Sequence, residues 1–165
     1  MGAGLKMVGI GQITKTTLKD NAAAKSGLGV GVDRATAALP ATATAAIFTV
    51  AGGRCLVTQI LGEVTTVIQT QVCNVKLQAN PTATGTSVDM CANLDVSAKV
   101  LASLFGITGT LADALLNGLA IIGQATPIIV QAGTIDLVTS ATNTGSVKWH
   151  VRYIPLDEGA TIVAA

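Results

Sequence analysis

The stretch KWHVRYIPLDEG, residues 148–159, contains the only Trp, the only Tyr and the only His of the chain. Apolar and charged side chains alternate along it, as on a strand with one buried face. The apolar face comprises Val147, Trp149, Val151 and Tyr153, and the opposite face comprises Lys148, His150 and Arg152. Pro155 marks where strand pairing stops, and residues 157–159 form a turn. The alternation predicts a closing strand over 146–156 whose aromatic rings fill a core, rather than a site made of His150 and the two carboxylates.

The residues before this strand indicate further β-structure. Residues 134–140 form a β-rich run, and a loop of turn residues at 141–145 separates it from the closing strand. We therefore expect 134–140 and 146–155 to form an antiparallel pair. Gly52 and Gly53 separate two other β-rich runs, at 47–50 and 55–61, which predicts a second hairpin.

The middle of the chain holds more short strands and one helical signal. Strand patterns occur at 64–70, 74–79 and 88–95, with a loop at 80–85. Residues 110–118 predict a helix of about two turns, with Thr110 as its cap and Gly118 at its end. About eight strands without regular helix–strand alternation predict an all-β fold, a jelly-roll-like β-sandwich with one short helix.

The first 45 residues differ from the rest of the chain. They are rich in Gly, Ala, Thr and Lys and poor in large apolar residues, so they bury little surface by themselves. The sequence predicts an extended N-terminal arm over 1–45 and a β-sandwich domain over 46–165. Five bases against two acids give residues 1–34 a net charge of +3, and these bases are the candidate assembly contacts: Lys6, Lys15, Lys19, Lys25 and Arg34.

Overall charge argues for assembly rather than nucleic-acid binding. Only 12% of residues are charged and the formal net charge is +1, without the strong basic excess of a nucleic-acid-binding surface. A weakly charged chain that is half apolar favours extensive contacts with partners, so we expect a homo-oligomer.

The three cysteines fit the same picture. Cys55, Cys73 and Cys91 lie in or beside strand-like runs, and their odd number does not indicate a disulfide framework. We expect buried small hydrophobes in a protein assembled in a reducing cytoplasm.

Membrane insertion is not expected either. Residues 100–123 are apolar enough to examine, but glycines interrupt them and Asp113 lies at their centre, where a charge is expensive in a membrane. The N-terminus shows no apolar core of a signal peptide.

Motifs for catalysis and cofactors are weak or absent. The chain has no Gly-Lys dipeptide for a P-loop, and its single His and scattered Cys have no metal-site spacing. His150 is the only candidate catalytic base, and whether a Cys lies beside it depends on the tertiary fold. The sequence therefore predicts no enzyme, no cofactor and no metal, and an enzymatic hypothesis rests on His150 alone.

The end of the chain resembles structural proteins of tailed bacteriophages. Trp149 and Tyr153, the run Pro155-Leu156-Asp157-Glu158-Gly159-Ala160 and the ending Val163-Ala164-Ala165 are similar to the C-terminal ends of such proteins, best of all the head decoration, or cement, proteins. The resemblance covers roughly the last 20 residues, and the remainder is similar only in style, with a low-complexity arm before a β-domain of low charge.

This resemblance implies a structural role. Head decoration proteins commonly have jelly-roll-like folds, often form trimers, and bind the capsid exterior, where they bridge major capsid protein subunits. It implies a homotrimer that stabilises the shell, and it assigns no catalytic residue. The alternative is another virion module, in a tail or fibre, that binds a receptor or a glycan.

Overall fold

The computed structural model describes residues 29–165, and this part of the chain forms β-strands joined by turns, with no helix. The twelve strands are β1 (Val30–Ala38), β2 (Thr44–Ala51), β3 (Cys55–Thr66), β4 (Asn74–Pro81), β5 (Val88–Asp89), β6 (Leu94–Asp95), β7 (Leu104–Gly106), β8 (Leu116–Gly118), β9 (Ile128–Val130), β10 (Gly133–Thr139), β11 (Ser146–Pro155) and β12 (Thr161–Ala164). The prediction of an all-β fold is confirmed.

The strands form two six-stranded sheets in which every named pair is antiparallel. The first sheet has the order β1-β11-β3-β7-β8, with β9 pairing β3 beside β7. The second has the order β12-β2-β10-β4-β5, with β6 pairing β4 beside β5. One cluster of buried apolar residues draws on both sheets, so they share a single hydrophobic core.

The closing strand β11 lies near the centre of the first sheet, between β1 and β3. Its predicted apolar face is buried and its charged face is not, which confirms the predicted alternation of core-facing and outward-facing side chains. Trp149 pairs with Gly62 of β3, and a Cβ at position 62 would lie 2.9 Å from two carbons of the indole ring. The glycine therefore makes room for the largest buried side chain of the core.

The two predicted hairpins are wrong. β10 pairs with β2 and β4 in the second sheet, whereas β11 pairs with β1 and β3 in the first. Likewise β2 and β3, which flank Gly52 and Gly53, belong to different sheets. Both connections cross from one sheet to the other, because turn residues specify that the chain bends and leave open which strand becomes the partner.

The predicted helix at 110–118 is also wrong. Residues 111–113 form a turn, and β8 follows and pairs with β7. Thr108 Oγ1 donates to Asp113 Oδ2 at 2.8 Å and accepts from Thr110 N at 3.0 Å, so the residues assigned to a helix cap hold a loop instead. A helix of about two turns is too short to be stable by itself, and pairing with β7 prevails.

Part of the predicted arm belongs to the β-domain. From Val30 to Ala38 the chain is an edge strand paired with β11, and Val30 and Val32 pack on the core. The predicted boundary between residues 45 and 46 falls inside β2. Residues 1–28 lie outside the described part of the chain.

The cysteines are confirmed as buried residues. Cys55, Cys73 and Cys91 are free thiols with almost no exposed surface, and each belongs to the core cluster. Burial raises the pKa of the Cys55 and Cys91 thiols, which disfavours the reactive thiolate.

Candidate functional site

His150, the one candidate for catalysis, lies on the outer face of the first sheet. Its Nδ1 is 3.0 Å from Asp33 Oδ1 on β1, and Lys148 Nζ is 3.9 Å from the same oxygen. The hydrogen bond from His150 is the main cause that lowers the pKa of Asp33. Because Asp33 and His150 occupy paired positions on neighbouring strands, the contact joins β1 to β11.

A shallow depression of about 170 Å³ surrounds this contact, and four of its six lining residues are ionisable. Its walls include Asp33, Leu61, Glu63, Lys148 and His150. Over residues 29–165 no hydroxyl or thiol is hydrogen-bonded to His150, and all three thiols are buried in the core. The depression presents groups of both charges on the outer face of the sheet, and these groups can hydrogen-bond a polar ligand.

No group of three or more His, Cys, Asp or Glu side chains within 29–165 is arranged to hold a metal ion. No helix there is long and apolar enough to cross a membrane.

Of the predicted assembly contacts, only Arg34 lies in the described part of the chain. It pairs with Trp149, so its side chain is on the core-facing side of β1 and is half-buried. Its Nε is buried without a hydrogen-bond partner in this part of the chain. Lys6, Lys15, Lys19 and Lys25 lie outside the described residues.

Four connections between strands meet at one end of the molecule, which we call the loop end. It consists of residues 39–43, 67–73, 96–103 and 140–145. Backbone hydrogen bonds link the four: Leu39 N to Gly145 O, Ile68 N to Lys99 O and Ala98 N to Gln69 O. Asn143 Nδ2 donates to Gln71 O at 2.8 Å and ties the second connection to the fourth.

The loop end is almost uncharged and exposes aliphatic side chains. Lys99 is its only charged residue. Within the loop end, four large apolar side chains have more than half of their surface exposed: Val67 (54%), Val72 (64%), Val100 (51%) and Leu101 (61%). Exposed aliphatic groups among uncharged polar residues are typical of a surface that contacts another protein.

The loop end also has an unusual backbone. Thr42, Ala98 and Ala102 have φ angles of 42°, 56° and 65°, and they are the only non-glycine residues with positive φ among those described. This left-handed conformation is unfavourable for residues with a Cβ and tends to occur at functional positions. Asn143 adds a second irregularity, because its Oδ1 is buried without a partner within the described chain.

A third feature is an apolar crevice of about 190 Å³ between the free edges of β5 and β9. Its apolar walls include Val88, Met90, Leu111, Ile129 and Val130. β5 ends the second sheet and β9 pairs only with β3, so the two sheets are open towards each other on this side. Asp89 at the crevice forms a 2.7 Å ion pair with Lys76.

Sequence reasoning did not identify the loop end. Its four segments are distant in the chain, and each by itself resembles an ordinary loop of small and polar residues. The signal available in the sequence was the combination of low charge with Val67, Val72, Val100 and Leu101 at turn positions. These residues indicate a shared surface only when the fold that brings the four segments together is known.

Comparison with models of protein families, with curated proteins and with solved structures finds no match to this chain.

Proposed function

We propose that this protein is a non-enzymatic virion protein that decorates the outside of a bacteriophage head and stabilises the shell of major capsid protein. The proposal rests on the C-terminal resemblance and on the placement of β1. In this role the protein assembles in the host cytoplasm, acts as a homotrimer and needs no cofactor.

The fold that we propose for this role is a jelly roll. Eight strands matter, namely β1, β2, β3, β4, β5, β7, β10 and β11. One sheet has the order β1-β11-β3-β7, which are the first, eighth, third and sixth of these eight strands along the chain. The other sheet has the order β2-β10-β4-β5, which are the second, seventh, fourth and fifth. This interleaved order supports a jelly roll, an architecture that viral capsid and lectin domains share.

The observation that carries the functional proposal is the exposed edge of β1. This strand has nine residues, and among residues 29–165 it pairs only with β11 and is the outermost strand of its sheet. Unpaired backbone groups along such an edge can receive a strand from another protein, with main-chain hydrogen bonds supplying affinity. A capsid subunit that pairs with β1 would be held along a seam rather than at a deep pocket.

Residues 1–28 add a second element to this seam. They precede β1 directly and contain four lysines and one aspartate, a net charge of +3. A basic segment that precedes β1 in the sequence suits an acidic capsid exterior, and the low charge of the remaining surface suits burial between subunits. Repetition around a symmetric oligomer multiplies such weak contacts through avidity.

Binding to phage heads tests the proposal. Full-length protein and a variant lacking residues 1–28 are mixed with undecorated heads, and the bound protein is quantified after sedimentation. We expect the full-length protein to saturate the heads and to delay their disruption on heating, and the shortened variant to bind at least tenfold more weakly. Full decoration by the shortened variant would exclude the basic segment, and failure of the full-length protein to bind would exclude the function.

Receptor or glycan binding is the second candidate, and the depression around His150 favours it. Its carboxylates, lysine and imidazole provide hydrogen-bond donors and acceptors on an open sheet face. This candidate predicts binding to host envelope or to a glycan array and none to heads. Replacement of Asp33 by Ala would abolish such binding, whereas decoration of heads would not depend on it.

A further inference from the structure

We propose that the loop end is the surface through which copies of this chain associate with one another. The occupant is a second copy of the same chain. The inference deepens the proposed function and rests on it for its setting on a capsid, while its test in solution requires no capsid.

Hydrogen bonds between connections place three of the four exposed aliphatic residues near one another. Ile68 N donates to Lys99 O at 3.0 Å, which places Val67 next to the turn that carries Val100 and Leu101. Val72 follows Gln71, whose carbonyl accepts from the buried Asn143. Covering such a patch removes apolar surface from water, at about 25 cal/mol per Å².

The polar groups of the loop end are self-complementary. Thr42 and Thr142 share a hydrogen bond between their hydroxyls at 3.1 Å, and Gln69 Nε2 donates to Gln71 Oε1 at 2.7 Å. A hydroxyl or a primary amide is both donor and acceptor, so the same groups on a second copy can serve as hydrogen-bond partners. A highly charged partner would find only Lys99 to pair with.

The extent of the surface matches that of a specific interface. The four connections contain 26 residues, of which seven are buried and 19 are at least partly exposed. Specific protein–protein interfaces use about 20–30 residues on each side. By contrast, the apolar crevice between β5 and β9 holds only about 190 Å³, room for a few side chains.

The loop end is also held in shape before any partner arrives. Ala98 N donates to Gln69 O, and Ala102 N donates to Val64 O at 2.9 Å, so two of the three residues with positive φ are fixed by hydrogen bonds to other segments. A surface already ordered in the free subunit loses little conformational entropy on association. The unfavourable backbone is consistent with a shape maintained for contact.

The mass of the full-length protein in solution tests the proposal, measured by light scattering over a range of concentrations. We expect a multiple of the 16.5 kDa chain mass. We expect Leu101→Asp to shift the mass to that of a single chain, because the interface would bury its charge. Ile121→Asp is the matched control, since Ile121 is 88% exposed and lies outside the loop end; it should keep the mass of the natural protein.

Circular dichroism verifies that each variant is folded, and Val72→Asp, in a different connection, replaces Leu101→Asp if that variant unfolds. A single-chain mass for the natural protein at about 100 µM, where a weak micromolar interface would be occupied, would overturn the proposal. An unchanged mass in the folded loop-end variants would also overturn it, and so would an equal decrease of the mass in Ile121→Asp.

Head binding separates this inference from the proposed function. If the natural protein is oligomeric, Leu101→Asp is monomeric and neither binds heads, the inference stands and the capsid role fails. If the natural protein is a single chain that still decorates heads, the capsid role stands and the inference fails.

Discussion

Arg54 and Asp157 join two turns at the end of the molecule opposite the loop end. The guanidinium donates from Nε at 3.0 Å to Oδ2 and from Nη2 at 2.7 Å to Oδ1, and Arg54 N donates to Oδ2 at 2.7 Å. These bonds from Arg54 hold the pKa of Asp157 at about 2. The pair ties the turn before β3 to the turn after β11, so a surface contact links two strands that are far apart in the chain.

Acid stability should report this pair. The pKa of Asp157 is lower in the folded chain than its ordinary 3.8, so its contribution to the free energy of unfolding is present above pH 4 and is lost as the pH falls towards 2. We expect Asp157→Asn to unfold at lower urea concentration than the natural protein at pH 6, with the difference shrinking between pH 4 and pH 2. The difference should also decrease with added salt, because the pair is exposed.

The adjacent carboxylate is the control for this measurement. Glu158→Gln removes one negative charge from the same turn, and Arg54 makes its hydrogen bonds to Asp157. An equal pH-dependent loss in Glu158→Gln would show that net charge, and not the Arg54 pair, causes the effect.

Ala102 offers a second test at the residue scale. Its φ of 65° is left-handed, a conformation that disfavours a Cβ by roughly 1–2 kcal/mol but suits glycine. We expect Ala102→Gly to raise the free energy of unfolding by about 0.5–1 kcal/mol, because glycine's greater freedom in the unfolded chain offsets part of the gain. Ala125→Gly, in an exposed connection without positive φ, should lower the free energy of unfolding. Urea unfolding measures both variants, and a lower free energy of unfolding in both would contradict the strain at position 102.

At the scale of elements, β1 determines where the folded domain begins. It forms seven paired positions with β11, and its Thr36 hydroxyl contacts the Thr65 hydroxyl of β3. Val30 and Val32 cover the core beside β11. A segment that looks too poor in apolar residues to fold alone is therefore stabilised by pairing with a strand more than 100 residues later in the chain.

Two truncations should behave differently for this reason. Removing residues 1–28 leaves all twelve strands of the described residues in place, and we expect the free energy of unfolding to change by less than about 0.5 kcal/mol. Removing residues 1–38 deletes β1, exposes the edge of β11 and uncovers apolar surface. We expect this change to lower the free energy of unfolding by about 3 kcal/mol or more. Equal thermal stability of the two variants would contradict the pairing of β1 with β11.

The same scale shows why some elements were predictable and others were not. The period of two in β11 follows from its position between the core and an open face, and it survives in the sequence as alternation. The signal at 110–118 was local capping chemistry, and Thr108, Thr110 and Asp113 use that chemistry in a loop. Local hydrogen-bonding capacity is shared by caps and turns, so it does not distinguish them.

At the scale of the whole molecule, the connections cross between the sheets. Gly52 shows how such a crossing is accommodated: its φ is 75°, and a Cβ there would lie 2.3 Å from Gly159 O. The turn after β2 therefore packs against the turn after β11 with no room for a side chain. Close packing of two distant turns, rather than a local hairpin, explains the glycine.

Cross-strand contacts in solution test this topology. Val151 on β11 lies opposite Val32 on β1 and Ile60 on β3, whereas Leu137 on β10 lies opposite Leu77 and Ala45 in the other sheet. We expect nuclear Overhauser effects between the backbones of Val151 and its two partners. A regular series of such effects between 134–140 and 146–155 would restore the hairpin and contradict the two-sheet order.

The candidate interaction surface at the loop end exists only because of the tertiary fold. Val67, Val72, Leu101 and Thr142 belong to three connections that the crossing topology brings to one end. Sequence reasoning instead selected Arg34, whose side chain lies on the core-facing side of β1, and four lysines outside the described residues. Charge is visible along a sequence, but proximity between loops is not.

The sequence by itself determined the β-class of this protein, the two faces of its closing strand and the burial of its three cysteines. Those properties follow from side-chain hydrophobicity at a spacing of one or two residues, which is a local quantity. Only the tertiary structure decided which strands are neighbours, that residues 30–38 belong to a sheet, and that four uncharged loops share one end. Strand partners are chosen by how the whole chain buries its apolar faces at once, and no local pattern encodes that choice.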